Sequence, residues 1–410
     1  MADPVAASDT VVNDSDAEFL YSETSTGAFR KVTAARFVSS VGLTGDDEGK
    51  VPSVDEDGNV AFGSFNVDSL AIGDYFSTLR TLGDKWLRRD GSLYDSADYP
   101  DLSDLLPALP DGVLWDNFAS GSSDTTASII HDGDRFLALT INGAVLESSD
   151  GETWSTLASI GDTFMQDFAF GNGFYVAIKQ LNGKVYTSPD AQVWTLATTL
   201  SGGPSMLSVA FGDGKFVLVG DTGKIFTTTD GITFTPQTSG VTNVLWGAYY
   251  SGTTWIVVGE GGKLLTSTDA VTWASRTSGI STALYGAYYH DGLYIVVGSA
   301  GVILTSTNLS GWTPRTSGTS SQLSNVVGND TGWLVVGKSG ASRISSDGIT
   351  WSSTATGFAT DLNDVIIDPD NDARYLVVGP TGNILEGLRT SPTQFQVPDD
   401  DPDYGWVKAL

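Results

Sequence analysis

The feature that most constrains how this chain can fold is a short pattern, Ser/Thr-x-Asp-x-x-x-aromatic, that recurs at an almost fixed interval. It reads Ser148/Asp150/Trp154, Ser188/Asp190/Trp194, Thr228/Asp230/Phe234, Ser267/Asp269/Trp273, Ser306/Asn308/Trp312 and Ser345/Asp347/Trp351, about 39–40 residues apart. A period of that length means one small supersecondary unit used many times over. Such a unit cannot bury its own apolar faces, so its neighbours must cover them.

Between successive motifs lie three more apolar runs. In the clearest copies these are Gly247-Ala248-Tyr249-Tyr250, Trp255-Ile256-Val257-Val258-Gly259 and Lys263-Leu264-Leu265-Thr266-Ser267, repeated as Gly286-Ala287-Tyr288-Tyr289, Tyr294-Ile295-Val296-Val297-Gly298 and Val302-Ile303-Leu304-Thr305-Ser306. β-Branched residues, alternation and glycine turns make these strands, and no window supports a long helix. A fourth run follows each aromatic, as in Trp312-Thr313-Pro314-Arg315-Thr316. Four antiparallel strands with two apolar faces form a blade, and blades stack radially into a ring. The expected fold class is all-β, with a β-propeller as its main body.

Counting sets the ring size. First strands fall near residues 127–130, 168–170, 209–211, 248–250, 287–289, 325–327 and 365–367, and the last unit has no Asp motif after it. The missing piece lies upstream, where Asp111-Gly112-Val113-Leu114-Trp115 has the required spacing. This predicts a seven-bladed propeller over 109–388 whose last blade takes its outer strand from 111–120. Strands from both ends then clasp the ring and leave no open edge. The entry near residue 110 lies beside the exit near 388, as an inserted domain requires.

The repeat resembles the Asp-box, or bacterial neuraminidase repeat, of sialidases and of photosystem II assembly factor-like propellers, over residues 111–388. In that repeat the acid accepts backbone N–H bonds in a tight hairpin, while the hydroxyl and the aromatic fix the turn. The resemblance therefore implies structural roles for Asp111, Asp150, Asp190, Asp230, Asp269, Asn308 and Asp347, and for Trp115, Trp154, Trp194, Phe234, Trp273, Trp312 and Trp351. Asn308 and Phe234 are single departures from the pattern. A sialidase would also need an arginine cluster for a substrate carboxylate and a Tyr/Glu nucleophile pair. Here Arg276 and Arg315 fall on outer strands, Arg135 and Arg343 are isolated, and the Arg-Ile-Pro signature is absent. No catalytic residue is named and no enzymatic activity is expected.

The flanks carry a second resemblance. Residues 1–70 read as a small β-rich adaptor: a hairpin from Ala17–Tyr21 and Ala28–Val32, a brief helix near Thr33–Val38, and a strand near Val60. They are similar to the attachment segments of phage tail fibres. Residues Gly83–Asp95, followed by Tyr99-Pro100-Asp101-Leu102, resemble the first half of the phage tail-collar motif, a Trp-Leu-x-x-Asp-Gly turn and a Pro-initiated helix. The second half of that motif is matched by Phe395-Gln396-Val397-Pro398-Asp399 and Trp406-Val407-Lys408-Ala409. The resemblance implies one collar-like domain split between 71–108 and 389–410, with the propeller inserted into it.

Composition narrows the function. The net charge of -28 repels nucleic acid and anionic membranes, and the chain has no cysteine for a disulfide or thiolate site. No apolar run is long enough to span a bilayer, and Met1–Asp9 lack the features of a signal peptide, so synthesis in a host cytoplasm is expected. No cofactor or metal is expected. His131 and His290 read as solvated turn residues, and Asp399–Asp403 as an acidic loop that could alternatively hold calcium. The loops before the first strands and the Val-Gly turns should share one face, gathering Trp246, Tyr285 and the Ser/Thr-rich segments 278–283 and 317–324. Flat aromatics with hydroxyls suit sugar rings, although inter-blade core is an equal reading for Trp246 and Tyr285. The leading expectation is a virion protein of a tailed phage: a tail fibre or receptor-binding appendage, attached to other tail proteins through its N-terminal segment. Its propeller would meet a host glycan or protein, and the resemblance implies a homotrimer. The alternatives are a polysaccharide hydrolase and a decoration protein that binds only virion partners.

Overall fold

The computed structural model describes residues 112–390 apart from Ala355, together with the backbone of eight short strands outside that range. The chain divides into two units, Gly112–Thr390 and Met1–Asp111 with Ser391–Leu410.

The larger unit consists of seven four-stranded antiparallel sheets. Blade 1 runs Thr126–His131, Phe136–Thr140, Ala144–Ser148 and Ser155–Ser159; blade 2 runs Met165–Gly171, Phe174–Lys179, Lys184–Ser188 and Thr195–Thr199. Blades 3, 4, 5 and 6 repeat this order from Met206, Leu245, Leu284 and Leu323. The seventh sheet joins Asp364–Asp368, Asn371–Val378 and Asn383–Thr390 to Gly112–Ala119, with Gly387 opposite Trp115. First strands of consecutive blades touch around the whole ring, including the seventh against the first.

Burial follows the strand order and explains it. Second strands such as Trp255–Gly259 are buried at every position, and both their faces are covered. Fourth strands such as Ala274–Thr277 are exposed at every position and correspondingly polar. The core is accordingly divided into seven seams, one between each pair of blades. Between blades 6 and 7, Val336 and Ile344 meet Val365 and Tyr375; between blades 7 and 1, Leu376 and Ile384 meet Ile129, Phe136 and Trp154. Each such Val, Leu or Ile contributes roughly 1.5–3 kcal/mol by leaving water, so the last seam is built like the others.

Polar latches cross the same seams. Buried Arg374 of blade 7 bonds Glu386 and Asp368 and also donates to the Asp150 carbonyl of blade 1 at 2.6 Å. Arg135 of blade 1 does the same to the Asp190 carbonyl of blade 2 at 3.0 Å.

In the smaller unit Glu18–Ser22 pairs with Phe29–Thr33, and Lys50–Val54 with Val60–Ser64. Gln394–Gln396 pairs with Leu93–Asp95, and Trp406–Lys408 with Trp86–Arg88, so strands from distant parts of the chain share two sheets. The helices expected after Thr33 and at Pro100, together with Asp111 and the loop Asp399–Asp403, lie outside the described residues.

Candidate functional site

The recurrent aspartates sit in hairpins between third and fourth strands. Asp150 Oδ1 accepts the N–H groups of Glu152 and Thr153, both at 2.8 Å, and the Ser148 hydroxyl at 2.8 Å. Trp154 Nε1 closes the turn by donating to the Gly151 carbonyl at 2.8 Å. The backbone bond from Thr153 is the main cause that holds the Asp150 carboxyl down at about 2. The Thr233 N–H does the same for Asp230, also at about 2, and Asp190, Asp269 and Asp347 are lowered by equivalent bonds. Asn308 serves through Oδ1, which accepts Ser310 and Gly311 N–H at 3.0 and 3.2 Å. Phe234, Trp194, Trp273, Trp312 and Trp351 pack against the seams, and Trp194 repeats the closing bond to Ala191 at 2.8 Å. Trp115 instead donates to Thr354 Oγ1 at 3.2 Å. These carboxylates are engaged in their own turns.

The opposite end of each blade is built differently. The first strand opens with a β-bulge in six blades, leaving Ala127, Gln166, Leu207, Trp246, Tyr285 and Ser324 as the unpaired residue. A bulge re-aims a side chain out of the ladder. In blades 4 and 5 that side chain is aromatic, and the rings of Trp246 and Tyr285 lie 5.5 Å apart, tilted by 57°. Glycine follows each of them. A Cβ on Gly247 would stand 2.2 Å from the Tyr285 carbonyl, so this close approach of two strands admits only glycine. Tyr285 Oη lies 3.1 Å from Ser299 Oγ in the turn after the second strand. Both rings are half-buried, and Trp246 Nε1 makes no hydrogen bond among the described residues.

Two grooves lie at the same end of the blades, lined by third-strand starts and the loops between blades. One, of about 380 Å³, passes Ile280, Ala300 and Arg315; the other, of about 500 Å³, passes Lys224, Asn243 and Lys263. The hydroxyls of Ser278 and Ser317, within the segments expected on this face, turn inward: Ser278 Oγ donates to the Gly262 carbonyl at 2.7 Å.

One position below the bulge, a belt of polar side chains joins neighbouring first strands. Asp364 Oδ2 accepts the Ile129 N–H at 3.0 Å and Asp167 Oδ2 the Val209 N–H at 2.9 Å; each oxygen thus ties one blade to the next. Asn325 donates to Asp364 Oδ1 at 2.6 Å. Ser128 Oγ lies 2.7 Å from Asp167 Oδ1 and 3.1 Å from Asp364 Oδ2. A hydroxyl has one proton, so both contacts are hydrogen bonds only when one of the two carboxyls is itself protonated. Burial, then the neighbouring Asp364 charge, pushes Asp167 up to about 7, and burial also raises Asp364. Sequence reading passed over these residues. Their signal was present: Ser128, Asp167, Ser208, Gly247, Gly286, Asn325 and Asp364 occupy one position of the repeat.

The arginines weighed for a carboxylate cluster do not converge. Arg276 and Arg315 donate to Thr266 and Thr305, each at 2.9 Å, and Arg343 is buried on the carbonyls of Ser317, Gly318 and Ser342. His131 accepts the Gly133 N–H at 3.1 Å, and His290 lies 2.9 Å from Asp330. Among the described residues no three His, Asp or Glu side chains gather as a metal site would require, and no helix is long and apolar enough to cross a membrane.

No protein-family model and no curated protein sequence matches the chain. Solved structures do. "YCF48 bound to D1 peptide" aligns with a TM-score of 0.58 at 16% identity, covering 69% of this chain and 99% of that one. YCF48 from Cyanidioschyzon merolae gives 0.55 at 16% identity, covering 68% and 98%. Virginiamycin B lyase from Staphylococcus aureus gives 0.59 at 8% identity, covering 67% and 99%. The likeness is one of fold. The alignments span nearly the whole of each of these structures and about two thirds of this chain.

Proposed function

We propose that the chain is a recognition protein without catalytic activity, serving as a receptor-binding appendage of a tailed phage. In this reading the propeller meets a host-surface glycan with the end that carries Trp246 and Tyr285. The observation that carries it is the aromatic pair itself: two half-buried rings 5.5 Å apart, held at bulges on the end of the blades that also bears two grooves. Rings held this way offer apolar faces to a sugar, with Ser299 and the Tyr285 hydroxyl as polar neighbours. The phage assignment rests on the tail-collar resemblance of Gly83–Asp95 and Phe395–Ala409. The pairing of Gln394–Gln396 and Trp406–Lys408 with strands from the first hundred residues is consistent with a split domain there. The N-terminal segment would attach the chain to other tail proteins, in a homotrimer.

Binding of the full chain to a glycan array and to host cells tests this. Specific binding that falls at least about tenfold in Trp246→Ala and Tyr285→Ala, at unchanged melting temperature, supports it. Binding unaffected by either substitution sinks the assignment of the face, and release of reducing sugar sinks the non-catalytic reading. Binding to no host surface at all favours the decoration role.

A further inference from the structure

The second groove has an unusual charge for this protein. With 21 basic against 49 acidic residues, a lysine here has many carboxylates to pair with. Among the described residues Lys179 and Lys184 share Asp162, Lys215 pairs with Asp213, and Lys338 with Asp361. Lys224 and Lys263 have no carboxylate within ion-pair distance among the described residues, and these two line one groove. They occupy the same position in blades 3 and 4, directly after the short turns Asp221–Gly223 and Glu260–Gly262. Asp221 and Glu260 stand in those turns but not in the lining. The remaining wall supplies Gln237, Thr238, Thr242 and Asn243, which are amides and hydroxyls. Asn243 precedes Trp246 by three residues, so the groove wall includes the loop that enters the strand carrying the first ring of the pair.

We infer that the groove between blades 3 and 4 is an anion subsite. It takes the carboxylate or sulfate of an acidic saccharide through Lys224 and Lys263, while an adjoining sugar ring rests on Trp246. This rests on the reading of the aromatic end as a glycan-binding face. Two ammonium groups left without local partners in an acidic protein keep their full attraction for an incoming anion. Hydroxyls and amides around them suit the neighbouring sugar hydroxyls. The surrounding negative field makes this selective: an anion finds its attraction only in the groove.

The test uses the full chain against three glycan sets, neutral, carboxylated and sulfated, at low and at high salt. Lys224→Gln/Lys263→Gln is compared with Lys215→Gln, a lysine paired elsewhere, and with Lys224→Arg/Lys263→Arg. The inference expects acidic glycans to bind in preference to neutral ones, with affinity falling as salt rises. It expects a loss of roughly fivefold or more in the glutamine double variant, at unchanged melting temperature, and retention in the arginine variant. Preference within the acidic sets tells carboxylate from sulfate. If the glutamine variant binds like wild type while Trp246→Ala does not, the subsite is wrong and the aromatic face stands. If wild type prefers neutral glycans, the subsite is likewise wrong, and if it binds none, the face itself falls.

Discussion

At the residue scale, the recurrent aspartate is a turn-builder, and its chemistry is visible in what it accepts. Asp150 takes two backbone N–H groups and one hydroxyl on a single oxygen. Removing it in Asp150→Ala leaves those donors to water at an exposed tip, so the expected loss is small for charged hydrogen bonds, about 1 kcal/mol in urea unfolding. Asp150→Asn should cost less, because Asn308 already does the same work with an amide oxygen. The pH signature is specific. A carboxyl held at about 2 when folded contributes stability that is full above about pH 4 and is lost as pH falls toward 2. Acid unfolding of Asp150→Ala should therefore be shallower than that of wild type; equal slopes would remove the assignment. This role was legible in the sequence, since Ser/Thr-x-Asp before an aromatic is a local pattern with a local cause. Ser128, Asp167 and Asp364 were not, because their partners are on other blades and only the shared repeat position links them.

At the element scale, the first strand decides what each blade offers at the ring mouth. Its bulge, its bulged residue and the residue after it vary while the apolar positions hold. Strand count and order could be read from alternation and glycine turns because every strand has the same burial logic. The bulges could not, since a bulge depends on how the second strand is registered against the first. They are what bring Trp246 and Tyr285 together, although they lie 39 residues apart. Gly247→Ala tests the close approach behind them. Its methyl meets the Tyr285 carbonyl at 2.2 Å, so the two strands must separate. We expect a loss of about 1–3 kcal/mol by thermal or urea unfolding, with weakened ligand binding. Gly311, around which a Cβ would meet nothing within 4 Å and whose backbone lies outside the left-handed region, is the control position for crowding.

At the scale of the whole molecule, two features act on the entire ring. The first is the pair Asp167 and Asp364, which join blades 7, 1, 2 and 3 through Ser128 and backbone N–H groups. An acid raised to about 7 holds a proton when folded that the unfolded chain releases near pH 4. The folded state binds more protons in that window, so stability falls as pH rises from about 4 to about 7 and is level beyond. Melting temperature should be higher near pH 5.5 than near pH 8.5, and Asp167→Asn should flatten the difference; a wild-type profile without a fall would overturn the shared proton. The second feature is the seventh sheet, where Asn383–Thr390 pairs along its full length with Gly112–Ala119. Six blades are made of consecutive hairpins that can form as the chain leaves the ribosome. The seventh needs two segments separated by most of the propeller, and bringing them together costs loop-closure entropy that the local hairpins do not. Closure thus sets a clock: Gly112–Ala119 is made first in the propeller and must wait, unpaired, until the last strand is made. The polar Asp116 and Asn117 in its middle, both exposed even after pairing, keep that waiting strand from finding the wrong partner.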